Sequence, residues 1–238
     1  MGRYPYVLAA LAGVFLGAGC GDDVNPSPVW VYFSTSNSGL PSDSVYGISS
    51  RGDETWFACD GGLAHHSPGQ WRVYDRSFGM PSDDVFAVVA LLDGRIWAGT
   101  AAGAVLLRGG EIKIYTVEDG LPSDRVVAVA YDDRYVWLGT DGGLARYDGS
   151  NFFVFDDENG LPLSRVRDIW VVGVGRVWVA GVGGAAYIEG DTVRSYTPAN
   201  TQLPSAEVNA VAVRGLSLIH ISEPTRLLSI SYAVFCLK

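Results

Sequence analysis

Cysteine and histidine are scarce: the 238 residues hold three of each. The cysteines stand alone at Cys20, Cys59 and Cys236. Neither a metal-ligand spacing nor an even disulfide framework can be built from them. Basic side chains are also few, 17 Lys and Arg against 26 Asp and Glu, for a formal charge of −9. No basic patch is available to neutralise phosphates, which argues against nucleic acid as a partner. No cofactor motif is found. His65 and His66 are the only histidines before the C-terminal tail, so no Ser-His-Asp set can be assembled. On a strand these two would point to opposite faces and could not converge on one ion. The longest apolar run, Val7 to Gly19, is too short to span a bilayer comfortably.

Glycine, by contrast, is abundant at 30 residues, and its positions are periodic. Gly39–Leu40–Pro41–Ser42–Asp43 returns as Gly79–Met80–Pro81–Ser82–Asp83 and Gly120–Leu121–Pro122–Ser123–Asp124. Altered copies begin at Gly160 and Gln202, so successive starts lie 40, 41, 40 and 42 residues apart. Trp56, Trp97, Trp137 and Trp178 keep the same register, and so do the turns Gly61–Gly62, Gly142–Gly143 and Gly183–Gly184. A repeat of this length made of strand-like segments predicts propeller blades.

Each repeat reads as four strands. The Ser-Asp pair can bond nearby backbone N–H groups and steer the chain into the first strand. Val126 to Ala130 is apolar on both faces, as expected of an innermost strand. Val136–Trp137–Leu138–Gly139 follows, with the Trp placed between blades and Gly139 making room for it. Leu144–Tyr147 and Phe152–Phe155 complete the blade, and the last strand mixes charged with apolar residues like an outer edge. The expected fold is an all-β propeller of four complete blades, at about 45–74, 85–115, 126–155 and 166–196. Partial strands flank them, Trp30 to Phe33 before and Val208 to Val213 after, within a repeat region of 29–213.

The repeat resembles that of the two-component regulator propeller family. Residues 120–148 carry the resemblance most closely, through Gly-Leu-Pro-Ser-Asp and Val-Trp-Leu-Gly-Thr-Asp-Gly-Gly-Leu-Ala-Arg-Tyr-Asp. It implies an extracytoplasmic propeller, often the sensory part of a membrane histidine kinase and sometimes a stand-alone exported protein.

The N-terminus fits export. Arg3, an apolar core and small residues before Cys20 make a signal peptide over 1–19. Leu16–Gly17–Ala18–Gly19–Cys20 resembles a bacterial lipoprotein signal, with the Leu one position early. The resemblance implies lipid on Cys20 and a periplasmic or cell-surface location, and a plain signal peptide is the other reading. Residues 20–28 form a short tether. Residues 214–238 leave the repeat altogether, with no Trp and no Gly-Gly turn. They resemble translated sequencing-adapter read-through, which implies a truncated propeller. A divergent last blade is the alternative.

Candidate sites follow from connectivity. Links between blades and turns between second and third strands emerge on one face. Asp43, Asp60, Asp83, Asp124 and Asp141 could gather there as a carboxylate ring for a cation, or could simply cap turns. More informative are positions that vary while the scaffold repeats. One column reads Ser44, Asp84, Arg125, Arg165, Glu207, and the other Tyr46, Phe86, Val127, Arg167, Asn209. Arg165 and Arg167 interrupt an otherwise apolar strand and suit a clamp for a carboxylate or sugar acid. Salt bridges to Asp168 or Glu158 are the structural alternative. Asp84, Arg125, Arg165, Arg167, Tyr46 and Phe86 are therefore the expected ligand-binding set, for a peptide, glycan or small ligand. The expected function is a non-catalytic binding, sensory or protein-interaction module. A lyase or glycan-cleaving enzyme using loop-face carboxylates is the competing class, and an envelope scaffold a third.

Overall fold

The computed structural model of the chain describes residues 31–213. The signal peptide, Cys20, the tether and the tail beyond 213 lie outside the described residues. Among the described residues sixteen strands form four four-stranded antiparallel sheets, each made of strands consecutive in sequence. The first blade is β1 (Val45–Arg51), β2 (Glu54–Cys59), β3 (Gly62–Ser67) and β4 (Gln70–Tyr74). The second is β5 (Val85–Ala90), β6 (Ile96–Thr100), β7 (Gly103–Arg108) and β8 (Glu111–Tyr115). The third is β9 (Val126–Tyr131), β10 (Val136–Thr140), β11 (Gly143–Tyr147) and β12 (Phe152–Phe155). The fourth is β13 (Arg165–Gly173), β14 (Arg176–Val182), β15 (Gly184–Glu189) and β16 (Thr192–Tyr196). This is the propeller-blade architecture the repeat predicts.

The tryptophan column packs each blade on the next. Trp97 and Trp137 are fully buried, and Trp137 lies against Leu161, Val166 and Val177 of the following blade. Trp178 is covered in the same way by Val208 and Val211. Gly139 serves a different neighbour from the one its sequence position suggests. A Cβ there would stand 2.8 Å from Val166 Cγ1 and 3.0 Å from Ala128 Cβ, so the glycine lets the next inner strand approach.

A second difference concerns burial. The second strands, β6 and β10, are buried along their whole length. The inner strands β1 and β13 are only partly buried, because one face of each opens onto the axial cleft. Val208 to Val213 packs on the fourth blade but forms no named strand. Glu207 makes a single bridge to Val182, and Val208 N–H donates to the Gly181 carbonyl at 3.0 Å. At the other end Phe33 takes the aromatic position that closes each outer strand, packing on Phe57 and Trp71.

The Gly-Gly turns are set by backbone geometry. Gly143 has φ of +132°, and a Cβ on it would stand 2.7 Å from the Phe155 carbonyl oxygen. Only glycine meets both conditions.

Candidate functional site

The Leu-Pro-Ser-Asp loops come first, because they determine which carboxylates remain available. In each copy the serine hydroxyl accepts the N–H two residues on: Ser42 from Ser44, Ser82 from Asp84, Ser123 from Arg125. The aspartate reaches backwards across the loop. Asp43 accepts the Thr35 N–H at 2.7 Å, Asp83 that of Arg76 at 2.8 Å, and Asp124 that of Val117 at 2.8 Å. These three close the turn that precedes them. The expected ring of five carboxylates therefore resolves into three loop braces and two others, Asp60 and Asp141. Among the described residues no three His, Cys, Asp or Glu side chains cluster as a metal site.

Asp60 and Asp141 stand in equivalent turns two blades apart, and both face the rim. Tyr46 donates its hydroxyl to Asp60 at 3.0 Å, a bond that pushes the phenol pKa up. The Tyr46 ring meets Phe86 edge-on, with centroids 5.8 Å apart. The Arg125 guanidinium lies over Phe86 at 4.2 Å, in cation–π range. Its Nε is 3.6 Å from Asp141, which also pairs with Arg165 at 2.8 Å. The sequence-predicted residues Tyr46, Phe86, Arg125 and Arg165 thus form one continuous rim, with Asp60 at the Tyr46 end and Asp141 between the two arginines. Asp84 is close enough to raise the Tyr46 pKa further.

Arg167 is placed on the axial side. It hydrogen-bonds Asn209, its successor in the same repeat column, and lies 3.8 Å from Glu207. Neither arginine takes the partners that sequence proximity suggests. Asp168 instead accepts the N–H groups of Ile169 and Val211, and Arg165 crosses to the previous blade. On a strand, adjacent residues diverge, so ion pairs form around the ring rather than along the chain. Tyr46, Phe86, Val127 and Arg167 line an axial cleft of about 240 Å³. The column of variable positions converges on one cavity, because equal phase in successive blades means adjacency around the axis.

The remaining candidates are structural. His65 stacks on Trp56 at 4.0 Å, while His66 packs on the other face against Trp71. Burial holds His65 below its ordinary pKa. Cys59 is fully buried, and burial pushes its thiol up to about 12. Sequence reasoning missed the stacking of Arg125 on Phe86 and the part Asp141 plays between two arginines. Both partners were in the right columns, but side-chain reach between columns has no signature in a single sequence.

No family model matches the chain, and no curated protein does. Solved structures do. The extracellular domain of BT3049 from B. thetaiotaomicron, described as a hybrid two-component system, is 18% identical with a TM-score of 0.62. That likeness covers 89% of this chain and 29% of the other. The extracellular domain of BT4673, from the same organism and similarly described, is 17% identical with a TM-score of 0.60, over 74% of this chain and 25% of that one. PorZ, an essential surface component of the type-IX secretion system of Porphyromonas gingivalis, is 15% identical with a TM-score of 0.55, over 79% and 32%. The chain spans less than a third of the length of each of these. The likeness is one of fold, and it agrees with the propeller blades that the repeat predicts.

Proposed function

We propose that the chain is an exported, lipid-tethered and non-catalytic β-propeller that binds a ligand on its loop face, as a sensory or protein-interaction module. Export rests on the basic, apolar and small-residue pattern before Cys20, and the likeness to extracellular domains supports it. The membrane is engaged only through the lipidated N-terminus. One observation carries the binding site: the variable column Tyr46, Phe86, Val127 and Arg167 converges on the axial cleft, with Arg125 stacked beside it. A repeat scaffold holds everything else constant, so chemistry that differs from blade to blade and points to one place is the chemistry of recognition.

The rim offers an apolar aromatic step and guanidinium donors above it. That pairing suits a peptide, glycan or small ligand with a carboxylate, such as a sugar acid, the ring resting on Tyr46 and Phe86. The non-catalytic reading is supported by the loop braces, since Asp43, Asp83 and Asp124 each already serve a backbone N–H. An array of acidic glycans and carboxylate-bearing peptides, probed with wild type and with Tyr46→Ala and Phe86→Ala, tests this. Retention of a ligand by wild type and its loss from both variants is the expected result. Equal retention by all three, or conversion of the ligand to product, defeats the proposal.

A further inference from the structure

The face opposite the loop rim carries its own departures from the repeat. Between the third and fourth blades its turns enclose a groove of about 480 Å³, within the range that holds small ligands. Arg146 of β11 forms the floor, at a position occupied by His65, Leu106 and Tyr187 in the other blades. Its side chain is only 12% exposed and sits among aromatic rings, 4.8 Å from Tyr135 and 5.0 Å from Phe153. The guanidinium donates to the Gly190 carbonyl at 2.6 Å and to Asp191 at 2.7 Å.

Arg134 and Arg176 make the walls, and both are exposed. In the second blade Arg95 holds the position of Arg176, and Asp93 neutralises it within the same turn at 2.7 Å. The fourth blade keeps the arginine but has Val174 in place of the aspartate. Among the described residues neither Arg134 nor Arg176 forms a salt bridge. On the rim stand Asp191, committed to Arg146, and Glu189, the cross-strand neighbour of Arg176. Asp148 also acts on Arg146, and Asp132 beneath is spent on the N–H groups of Arg134, Tyr135, Trp137 and Gly175, so Arg134 and Arg176 remain the guanidinium groups of the groove that form no salt bridge among the described residues.

We propose that this groove is a second binding site, taking one oxyanion group — carboxylate, sulfate or phosphate — between Arg134 and Arg176, with the body of the ligand on Tyr135. Guanidinium forks match all three anions bidentately. The site is independent of the loop-face cleft and stands whether or not that cleft binds anything.

The test uses the full chain, isotopically labelled. Sodium sulfate, sodium phosphate and sodium glucuronate are each titrated at an ionic strength fixed with chloride, and the amide resonances of residues 174–176 and 189–191 are followed. Saturable shifts with at least one anion are expected. Arg134→Gln combined with Arg176→Gln should weaken that affinity by about tenfold or more. Arg125→Ala, on the other face, should leave it unchanged. Binding of sulfate or phosphate alone supports the site with an ester group as its ligand, and binding of glucuronate alone supports it with a carboxylate. Shifts that never saturate, or a double variant that titrates like wild type, overturn the proposal.

Discussion

The carboxylate of Asp132 accepts the indole N–H of Trp137 at 2.8 Å, inside the core between the third and fourth blades. The same oxygen accepts the N–H of Gly175, in the fourth blade, at 2.8 Å. Its other oxygen accepts the N–H groups of Arg134 and Tyr135 at 3.0 and 2.7 Å. One buried side chain thus holds its own turn, the packing tryptophan and the neighbouring blade. The indole nitrogens of Trp56 and Trp97 have no such partner.

Two costs follow at this junction. Trp137→Ala should destabilise the fold by about 3–5 kcal/mol through the cavity it leaves. Asp132→Ala should cost about 2–4 kcal/mol, because it strands the indole and the Gly175 N–H without acceptors. Denaturant unfolding of both variants measures this. A loss below about 1 kcal/mol for either would mean that the junction is not built as described.

Gly143→Ala tests the turn geometry. Its φ of +132° and the close Phe155 carbonyl combine backbone strain with a steric clash. A loss of about 3 kcal/mol or more is expected, against about 1–2 kcal/mol for Gly149→Ala, which has φ of +104° but whose Cβ would meet nothing within 4 Å, so that it bears the strain alone. Similar losses in the two variants would show that strain, rather than the carbonyl, fixes the turn.

Most of the fold was legible because the repeat states it four times. Trp56, Trp97, Trp137 and Trp178 keep one phase, so a single assignment of Trp137 to the blade interface places them all. The rim was legible by the same logic, as with Tyr46 beside Phe86 and Arg167 beside Asn209. What the repeat could not supply were contacts between columns. Asp141 reaches Arg165, and Asp132 reaches Gly175, through the separation of neighbouring sheets, a distance that no single strand encodes. Val208 to Val213, read from the sequence as a partial flanking strand, packs on Trp178 and Ala180 of the fourth blade.

Cys59 gives a pH-dependent prediction. Thr100 and Thr140 hold the equivalent position, and each hydroxyl donates to the carbonyl of the second turn glycine, at 2.8 and 3.0 Å. The Cys59 thiol is raised from an ordinary 9.0 to about 12, first by burial and then by Asp60. The folded state therefore keeps a proton that the unfolded chain releases, so stability is full below pH 9 and falls as pH rises toward 12. Tyr147 adds a loss of the same sign from about pH 10 upward, since burial and the Tyr115 hydroxyl push it to about 12. Cys59→Thr should restore the repeat hydrogen bond, adding about 1 kcal/mol at pH 7, and should flatten the decline between pH 9 and 10. A variant as pH-sensitive there as wild type would trace the alkaline loss to another group.

Lipidation of Cys20 is open to direct measurement in a bacterial host. Radiolabelled palmitate should enter wild type and not Cys20→Ala, and the variant should partition into the soluble envelope fraction. Equal labelling of both would remove the tether from the proposal while leaving the loop face untouched.

The loop-face arginines divide into two roles. Arg165 is pinned by Asp141 at 2.8 Å, and its side chain is half exposed, so the pair should contribute about 0–1 kcal/mol. Arg125 is 3.6 Å from the same aspartate and rests on the ring of Phe86, a residue that lines the cleft. Arg167 enters the cleft from the fourth blade and is held by Asn209 and Glu207, an amide and an exposed carboxylate that a ligand carboxylate could replace. Arg125→Ala with Arg167→Ala should abolish retention of an array ligand while leaving the melting temperature within a few degrees of wild type. Arg165→Ala alone should weaken retention less, because its charge is already matched by Asp141. If the double variant melts far below wild type, the two arginines are braces between blades, and the recognition surface must be sought on Tyr46 and Phe86 alone.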